Sequence, residues 1–519
     1  MHASTKRRAV GAAIAAAALV LTTLPATAAS AANDVVDPAT AFYVDPASTT
    51  AQAAAGLSGQ ARADAQLLAS FPSATWFTKG TPAEVQTGVD TLLDGSSAAS
   101  EVPVLVAYNL PYRDCSQYSA GGAADTAAYN AWIDAFAAGI GSREAVVILE
   151  PDGLGIIPWY TTINGDTEWC QPAEADPATA AADRFAQLNH AVDVLTALPA
   201  TAVYLDGTHS GWLGVGDITD RLLKAGVDRA DGFFLNASNY VQTDRLVKYG
   251  HWISDCIFLD QNSWWQREWC GSQYYPANPN DFSTWGLTDA AYDQAFADTG
   301  LTRDPASQAH FVIDTSRNGT GPWTPPAGKY TDPEAWCNPP GAGLGQRPTA
   351  DTGDALVDAL LWIKVPGESD GRCYRGTAGP TDPERGIIDP AAGQWFTQQA
   401  AELIALARPA VTRPTCDVDY TVHGTWPGGF NTQIWIRNTG TKAINGWDLA
   451  WTFASGQSVA NGWSASYSTA GGRQHAVNLS WNKVIKPGER TTIGFIGATS
   501  SGAAEPLLFT LNGKGCTSR

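Results

Sequence analysis

Short apolar runs recur along the first four-fifths of the chain, and helix-like stretches follow many of them. PVLVAYNL (103–110) precedes a helical pattern over 126–139, VVILE (146–150) one over 178–198, and AVYLD (202–206) one over 218–225. GFFLN (232–236), HFVID (310–314) and ALLWIKV (359–365) continue the series. Apolar runs without polar alternation are the mark of strands buried on both faces, as in a parallel sheet covered by helices. So many units in succession predict an α/β fold, a β/α barrel rather than an open sheet. A last helical pattern spans 394–407.

After residue 415 the pattern changes. TQIWIRN (432–438), WDLAWTF (447–453), HAVNLSW (475–481) and RTTIGFIG (490–497) alternate with period two, among many Thr, Ser, Gly and Asn. This segment of roughly 100 residues reads as an antiparallel β-sandwich. Between the two regions, ARPAVTRPT (407–415) is proline-punctuated and reads as a short, stiff linker.

The N-terminus stands apart. Lys6, Arg7 and Arg8 precede an Ala/Leu/Val-rich run (9–24) and the small-residue stretch ATAASAA (26–32), the layout of a secretory signal. The expected organisation is therefore a signal peptide (1–32), a main body (33–407), a linker (408–415) and a C-terminal module (416–516). No later run approaches the ~20 apolar residues of a membrane span. A secreted, extracellular protein is expected.

Export changes how the cysteines read. There are eight, none in a CxxC pair, which argues against a metal site. In an oxidising compartment they are expected to form disulfides, and eight cysteines allow on the order of a hundred pairings. Pairing neighbours favours Cys115–Cys170, Cys256–Cys270, Cys337–Cys373 and Cys416–Cys516.

Charge narrows the ligand class. The chain carries −19 overall, yet basic residues outnumber acidic ones beyond residue 415, so the body is strongly acidic. Such a body repels nucleic acid and anionic membrane and suits a neutral ligand. Neither GxGxxG nor a Walker loop occurs, which argues against nucleotide chemistry.

The candidate chemistry lies at strand ends, where parallel barrels carry their sites. Asp114, Asp152, Asp206 and Asp370 all fall there. A carboxylate-lined rim without nucleophile–histidine pairing or metal ligands suits glycoside hydrolysis, in which one acid protonates the leaving oxygen and a second carboxylate handles water or nascent positive charge. Aromatics agree. Of 20 Trp, Trp76, Trp159, Trp169, Trp212, Trp264, Trp265, Trp269, Trp285, Trp323 and Trp336 are expected in loops, where indole rings can stack on apolar sugar faces.

Seven ordered motifs then resemble glycoside hydrolase family 6: YNLPYRDC (108–115), VILEPD (147–152), YLDGTHSGW (204–212), LNASNY (235–240), VIDTSRNGTGP (312–322), AWCNPPGAGLG (335–345) and LLWIKVPGESDG (360–371). The resemblance runs from about 42 to 407. It implies a distorted, incomplete (TIM-like) β/α barrel that hydrolyses β-1,4-glucosidic bonds of cellulose with inversion. Asp152 matches the general acid, and Asp114 an aspartate that raises its pKa and helps to handle the water. Asp370 matches a proposed base, a disputed assignment, and Asp206 a further aspartate near the acid. Trp76, Tyr108, His209, Trp212, Asn239, Trp336, Lys364 and Glu368 match glucose-contacting positions. Glu150 reads as a scaffold for the loop that presents Asp152. The family's two disulfides correspond to Cys115–Cys170 and Cys337–Cys373.

The tail resembles carbohydrate-binding module family 2. HGTWPGGF (423–430), ANGWSASY (460–467) and LSWNKVI (479–485) carry Trp426, Trp463 and Trp481, which match its exposed cellulose-binding tryptophans, and Trp447 reads as core. The resemblance implies cellulose and soluble β-1,4-glucans as partners, no cofactor, and a monomer. Endo action is favoured; exo release of cellobiose and a non-catalytic cellulose-binding role are the alternatives. The main departure is 252–303, an insertion that compact endoglucanases of the family lack.

Overall fold

The computed structural model describes residues 35–518 apart from Ser455; the expected signal peptide lies outside the described residues. Seven strands form one parallel sheet in chain order: β1 (Thr75–Phe77), β2 (Val104–Ala107), β3 (Ala145–Leu149), β4 (Thr201–Asp206), β5 (Gly232–Leu235), β6 (His310–Asp314) and β7 (Val357–Leu361). Strand β1 is the one the apolar pattern missed, because TWF is too short to show a period. Since β7 does not pair with β1, the barrel is incomplete. The gap is crossed by Ala74 N, just before β1, which donates to Trp362 O (2.9 Å), and by Trp76 Nε1, from β1 itself, which donates to Ile363 O (2.7 Å).

Alternate side chains of each strand take opposite faces. Val104, Val106, Val146, Ile148, Tyr204, Phe234 and Val312 fill the barrel interior. Their neighbours Leu105, Val147, Leu149, Val203, Phe233 and Phe311 pack outward against the helices. Both faces are thus apolar, which is why the strands read as unbroken runs. The helices lie close to their expected places, at Thr126–Ile140, Ala180–Thr196, Val215–Lys224 and Thr397–Ala405.

The C-terminal module is a sandwich of two five-stranded sheets. It is antiparallel except at one edge, where Thr517–Ser518 pairs in parallel with Cys416–Trp426. Trp447 and Trp451 are buried in its core. The structure joins Cys115–Cys170, Cys256–Cys270, Cys337–Cys373 and Cys416–Cys516.

The segment between the modules is laid on the body: Arg408 N donates to Leu344 O (2.8 Å) and Arg413 pairs with Asp64 (2.6 Å). The sandwich also touches the body directly. Gln66 Nε2 donates to Ser518 Oγ (2.6 Å), Ser518 N donates back to Gln66 Oε1 (2.9 Å), and Arg473 pairs with Glu101 (3.3 Å).

Candidate active site

A cavity of about 790 Å³ opens at the C-terminal rim of the barrel. Asp114, Asp152 and Asp370 line it, together with Trp76, Tyr108, His209, Trp212, Asn239, Trp336, Lys364 and Glu368. Residues spread over some 300 positions of sequence therefore meet in one place. Asp206 does not line the cavity. It is buried at the end of β4, where its carboxylate accepts from Thr208 N (2.9 Å), Gly155 N (3.1 Å) and Leu154 N (3.2 Å).

The strand-end acids divide into two groups. Glu150, Asp206 and Asp314 face backbone. Glu150, buried after β3, accepts from Asn109 N (2.8 Å) and Leu110 N (3.1 Å), and so holds the loop leading to Asp114 as well as ending its own strand. Asp314 accepts from Ser238 N (3.0 Å) and Ser316 N (2.9 Å), and from Lys364 N (3.0 Å), tying the ends of β5, β6 and β7 together. Asp114, Asp152 and Asp370 face the cavity. Several of the turns that aim these acids are left-handed at residues other than glycine: Asp114 (φ 58°), Glu150 (φ 56°) and Asp152 (φ 61°). That conformation costs roughly 1–2 kcal/mol per residue and persists because the surrounding hydrogen bonds determine it.

Electrostatics separates the three cavity acids. The pKa of Asp152 is pushed well above the ordinary carboxylate range, first by burial, then by the charges of Asp206 and Asp114. Asp114 is pushed up to about 6 by burial, against the opposing Ser119 N–H, which donates to it at 2.7 Å, and the Arg113 guanidinium. Asp370 goes the other way. Burial alone would raise it, but Arg317 and Lys364 outweigh burial and hold it below the usual range. Its Oδ2 accepts from Arg317 (2.8 Å), Asn338 N (2.9 Å) and the Tyr240 hydroxyl (3.0 Å), and Lys364 Nζ lies 3.4 Å from Oδ1. His209 is lowered to about 4 by burial. Its Nδ1 accepts from Gly211 N (3.1 Å), so the neutral ring carries its proton on Nε2 as a donor.

The cavity walls are aromatic. Trp76 meets Tyr108 edge-on (centroids 5.4 Å), Trp212 lies beside His209 (5.9 Å), and Tyr118 packs on Trp336 (5.7 Å). Trp169 and Trp336 line the cavity yet stay exposed, so its flank is open to solvent. Among the other tryptophans expected in loops, Trp76 lies on β1 and Trp285 is core: it is buried and donates to Asn278 O (3.1 Å). Rows of apolar residues do not distinguish a wall indole from a core one.

Residues 37–407 match the family model for glycosyl hydrolases family 6. The chain belongs to this family. Residues 416–516 match the cellulose binding domain model. Endoglucanase A of Thermobispora bispora is 32% identical over 475 residues, covering 88% of this chain and 89% of that protein. The probable 1,4-beta-D-glucan cellobiohydrolase C of Aspergillus niger is 31% identical over 405 residues, covering 71% and 77%. The endoglucanase Cel6 of Mycobacterium tuberculosis, solved in complex with methyl-cellobiosyl-4-deoxy-4-thio-beta-D-cellobioside, superposes with a TM-score of 0.52 at 36% identity, covering 72% of this chain and 99% of that one.

Within this family-6 site, two buried arginines escaped the sequence reading. Arg184 donates to Gly153 O and Ile156 O (both 2.8 Å) and to Pro111 O (2.9 Å), clamping the Asp152 loop to the Asp114 loop. Arg317 holds Asp370. Arg317 lies inside the quoted motif VIDTSRNGTGP, but nothing local shows which carboxylate it meets. Arg184 lies in a helix and carries no local signal at all.

In the C-terminal module, Trp426, Trp463 and Trp481 are 46%, 43% and 69% exposed, whereas most other aromatic rings of the sandwich pack inward.

Proposed function

We propose that this protein is a secreted, monomeric endo-β-1,4-glucanase that cuts internal bonds of cellulose with inversion, held on its substrate by the C-terminal module. The observation that carries the reading is the opposed electrostatics of acids sharing one aromatic cavity. Burial and the charges of Asp206 and Asp114 favour the protonated form of Asp152, whereas Arg317 and Lys364, against burial, favour the ionised form of Asp370. A proton donor and a fixed negative charge flanking a sugar site are what an oxocarbenium-like transition state requires.

In this reading Asp152 protonates the glycosidic oxygen. Asp114, near 6, is matched to receive the proton of the attacking water close to neutral pH, directly or through a second water. Asp370 is a poor proton acceptor because Arg317, Asn338 and Tyr240 hold its Oδ2 and the Lys364 ammonium lies near its Oδ1. Its part is electrostatic: it stabilises positive charge at the anomeric carbon. Asp206 acts through Asp152, by holding the 154–155 backbone and by adding negative charge nearby. The wall aromatics, His209 Nε2–H, Asn239, Lys364 and Glu368 bind and orient glucosyl units. The domains are taken as 33–407, 408–415 and 416–516, after a signal over 1–32.

The open flank at Trp169 and Trp336 supports internal cutting. Viscometry against reducing-sugar release on carboxymethyl cellulose tests it. A steep early fall in viscosity is expected; cellobiose release with little viscosity loss would show exo action instead. Binding to nucleic acid or anionic vesicles is not expected at physiological salt, given the acidic body.

A further inference from the structure

The insertion 252–303 holds aromatic side chains that neither the core nor the cavity uses. Trp264 and Trp269 are 60% and 50% exposed, and Tyr274 and Tyr275 are exposed beside them in sequence. Trp264, Trp265 and Trp269 pack on one another with centroids 5.8–6.0 Å apart. Leaving two indoles and two phenol rings in water is costly unless something covers them.

Contacts other than the rings of Trp264 and Trp269 fix the loop. The Cys256–Cys270 disulfide ties it to the helix Thr243–Asn262. Arg267 is held by Asp260 (2.8 Å) and Asp220 (3.3 Å). Buried Gln273 donates to Leu213 O (2.9 Å). The result is a ledge whose backbone is tied down while its indoles, tilted 50–90° to one another, stay exposed, an arrangement that binds with little ordering cost.

The position of the ledge identifies its occupant. Tyr274 Oη donates to the backbone carbonyl of Trp212 (2.8 Å). A Cβ at Gly214 would touch the Tyr274 ring, and one at Gly216 would stand 2.5 Å from the Arg267 carbonyl. The insertion is therefore seated directly on 212–216, the segment that carries the cavity residue Trp212. Tyr274 is thus joined to the backbone of Trp212, whose side chain lines the cavity.

We propose that the Tyr274–Trp269–Trp264 ledge is a second glucan-binding surface, which takes the part of a β-1,4-glucan chain that runs out of the cavity past Trp212. The proposal rests on the glucanase reading above. The ledge adds affinity for long chains and leaves the reacting bond untouched.

The test compares the full-length protein with its Trp264→Ala/Trp269→Ala variant on soluble cello-oligosaccharides of increasing length. The C-terminal module is present in both and cancels. The expected result is unchanged kcat/KM on cellotetraose and a loss growing with length, from about fivefold where one ring is reached to about 25-fold where both are, at about fivefold per stacking ring, carried by KM rather than kcat. The Trp264→Phe/Trp269→Phe variant should recover most of it. An equal loss at every length would mean the rings only support the fold, and no loss at any length would mean the ledge binds no glucan; either overturns the proposal. So would a change in sedimentation from dimer to monomer without an effect on kinetics, since the ledge would then face a second copy. If the unaltered protein turned over no oligosaccharide, the glucanase reading itself would fail, a distinct outcome.

Discussion

Arg317 Nη1 lies 2.8 Å from Asp370 Oδ2, with both side chains almost fully buried. The pair decides what Asp370 can do. A carboxylate held by a buried guanidinium, a backbone N–H and a tyrosine hydroxyl keeps its negative charge and gives up its basicity. In the proposed mechanism the proton-handling role then falls to Asp114. With its carboxyl pushed up to about 6, mainly by burial, Asp114 is expected to be protonated and unable to accept a proton below that pH. Activity is expected to fall on the acid side with an apparent pKa near 6. That limb should vanish from the residual activity of Asp114→Asn and persist in Asp370→Asn. pH–rate profiles of the two variants check this; a limb lost with Asp370 instead would make Asp370 the base.

Asp152 is the proton donor of the proposed mechanism, and replacing it tests that role. Asp152→Asn is expected to lower kcat on carboxymethyl cellulose by roughly 10²–10⁴-fold. On an aryl cellobioside with a strongly acidic phenol as leaving group the loss should be far smaller, because such a group departs without protonation. Similar losses on both substrates would mean that Asp152 only shapes the site.

Inversion makes a direct chemical prediction. Proton NMR during hydrolysis of cellotetraose should show the α-anomer of the new reducing end first, before mutarotation. Initial β-anomer would indicate a retaining mechanism with a covalent intermediate.

The raised acids also set a stability trend. Glu150 is pushed up to about 7 and Asp206 to about 6, each mainly by burial. A carboxyl whose folded pKa exceeds its unfolded value binds more protons when folded, so stability falls as pH rises between the two values. The catalytic module should therefore melt at a higher temperature near pH 5 than near pH 7.5. Glu150→Gln keeps an oxygen for Asn109 and Leu110 and should flatten that slope. Calorimetry at the two pH values reads the difference, and an unchanged slope would exclude Glu150 as its source.

In the C-terminal module, Trp463→Ala is expected to weaken adsorption to crystalline cellulose about fivefold, corresponding to ~1 kcal/mol for one stacked ring. Turnover of soluble substrate should not change. Loss of both would mean that Trp463 supports the fold.

What the sequence determined by itself was whatever depends on neighbours along the chain. Unbroken apolar runs such as AVVIL mark strands buried on both faces, and the period-two run TQIWIRN marks a sandwich strand, because side-chain direction follows backbone period. Asp114, Asp152 and Asp370 and the motif residues Trp212 and Trp336 were also legible, and they do meet in one cavity, whereas Asp206 and Trp362 are buried outside its lining. Tertiary structure decided what depends on contacts across the fold. Glu150 and Asp152 are two residues apart at the end of one strand, yet one turns to backbone N–H groups and the other to the cavity. Asp206 and Asp370 both end apolar segments, yet one is pulled up by burial and the other down by Arg317, 53 positions away. Trp285 and Trp269 sit in the same insertion, one buried and one exposed. Charge state and burial are set by groups brought together in space, and no local pattern carries that information.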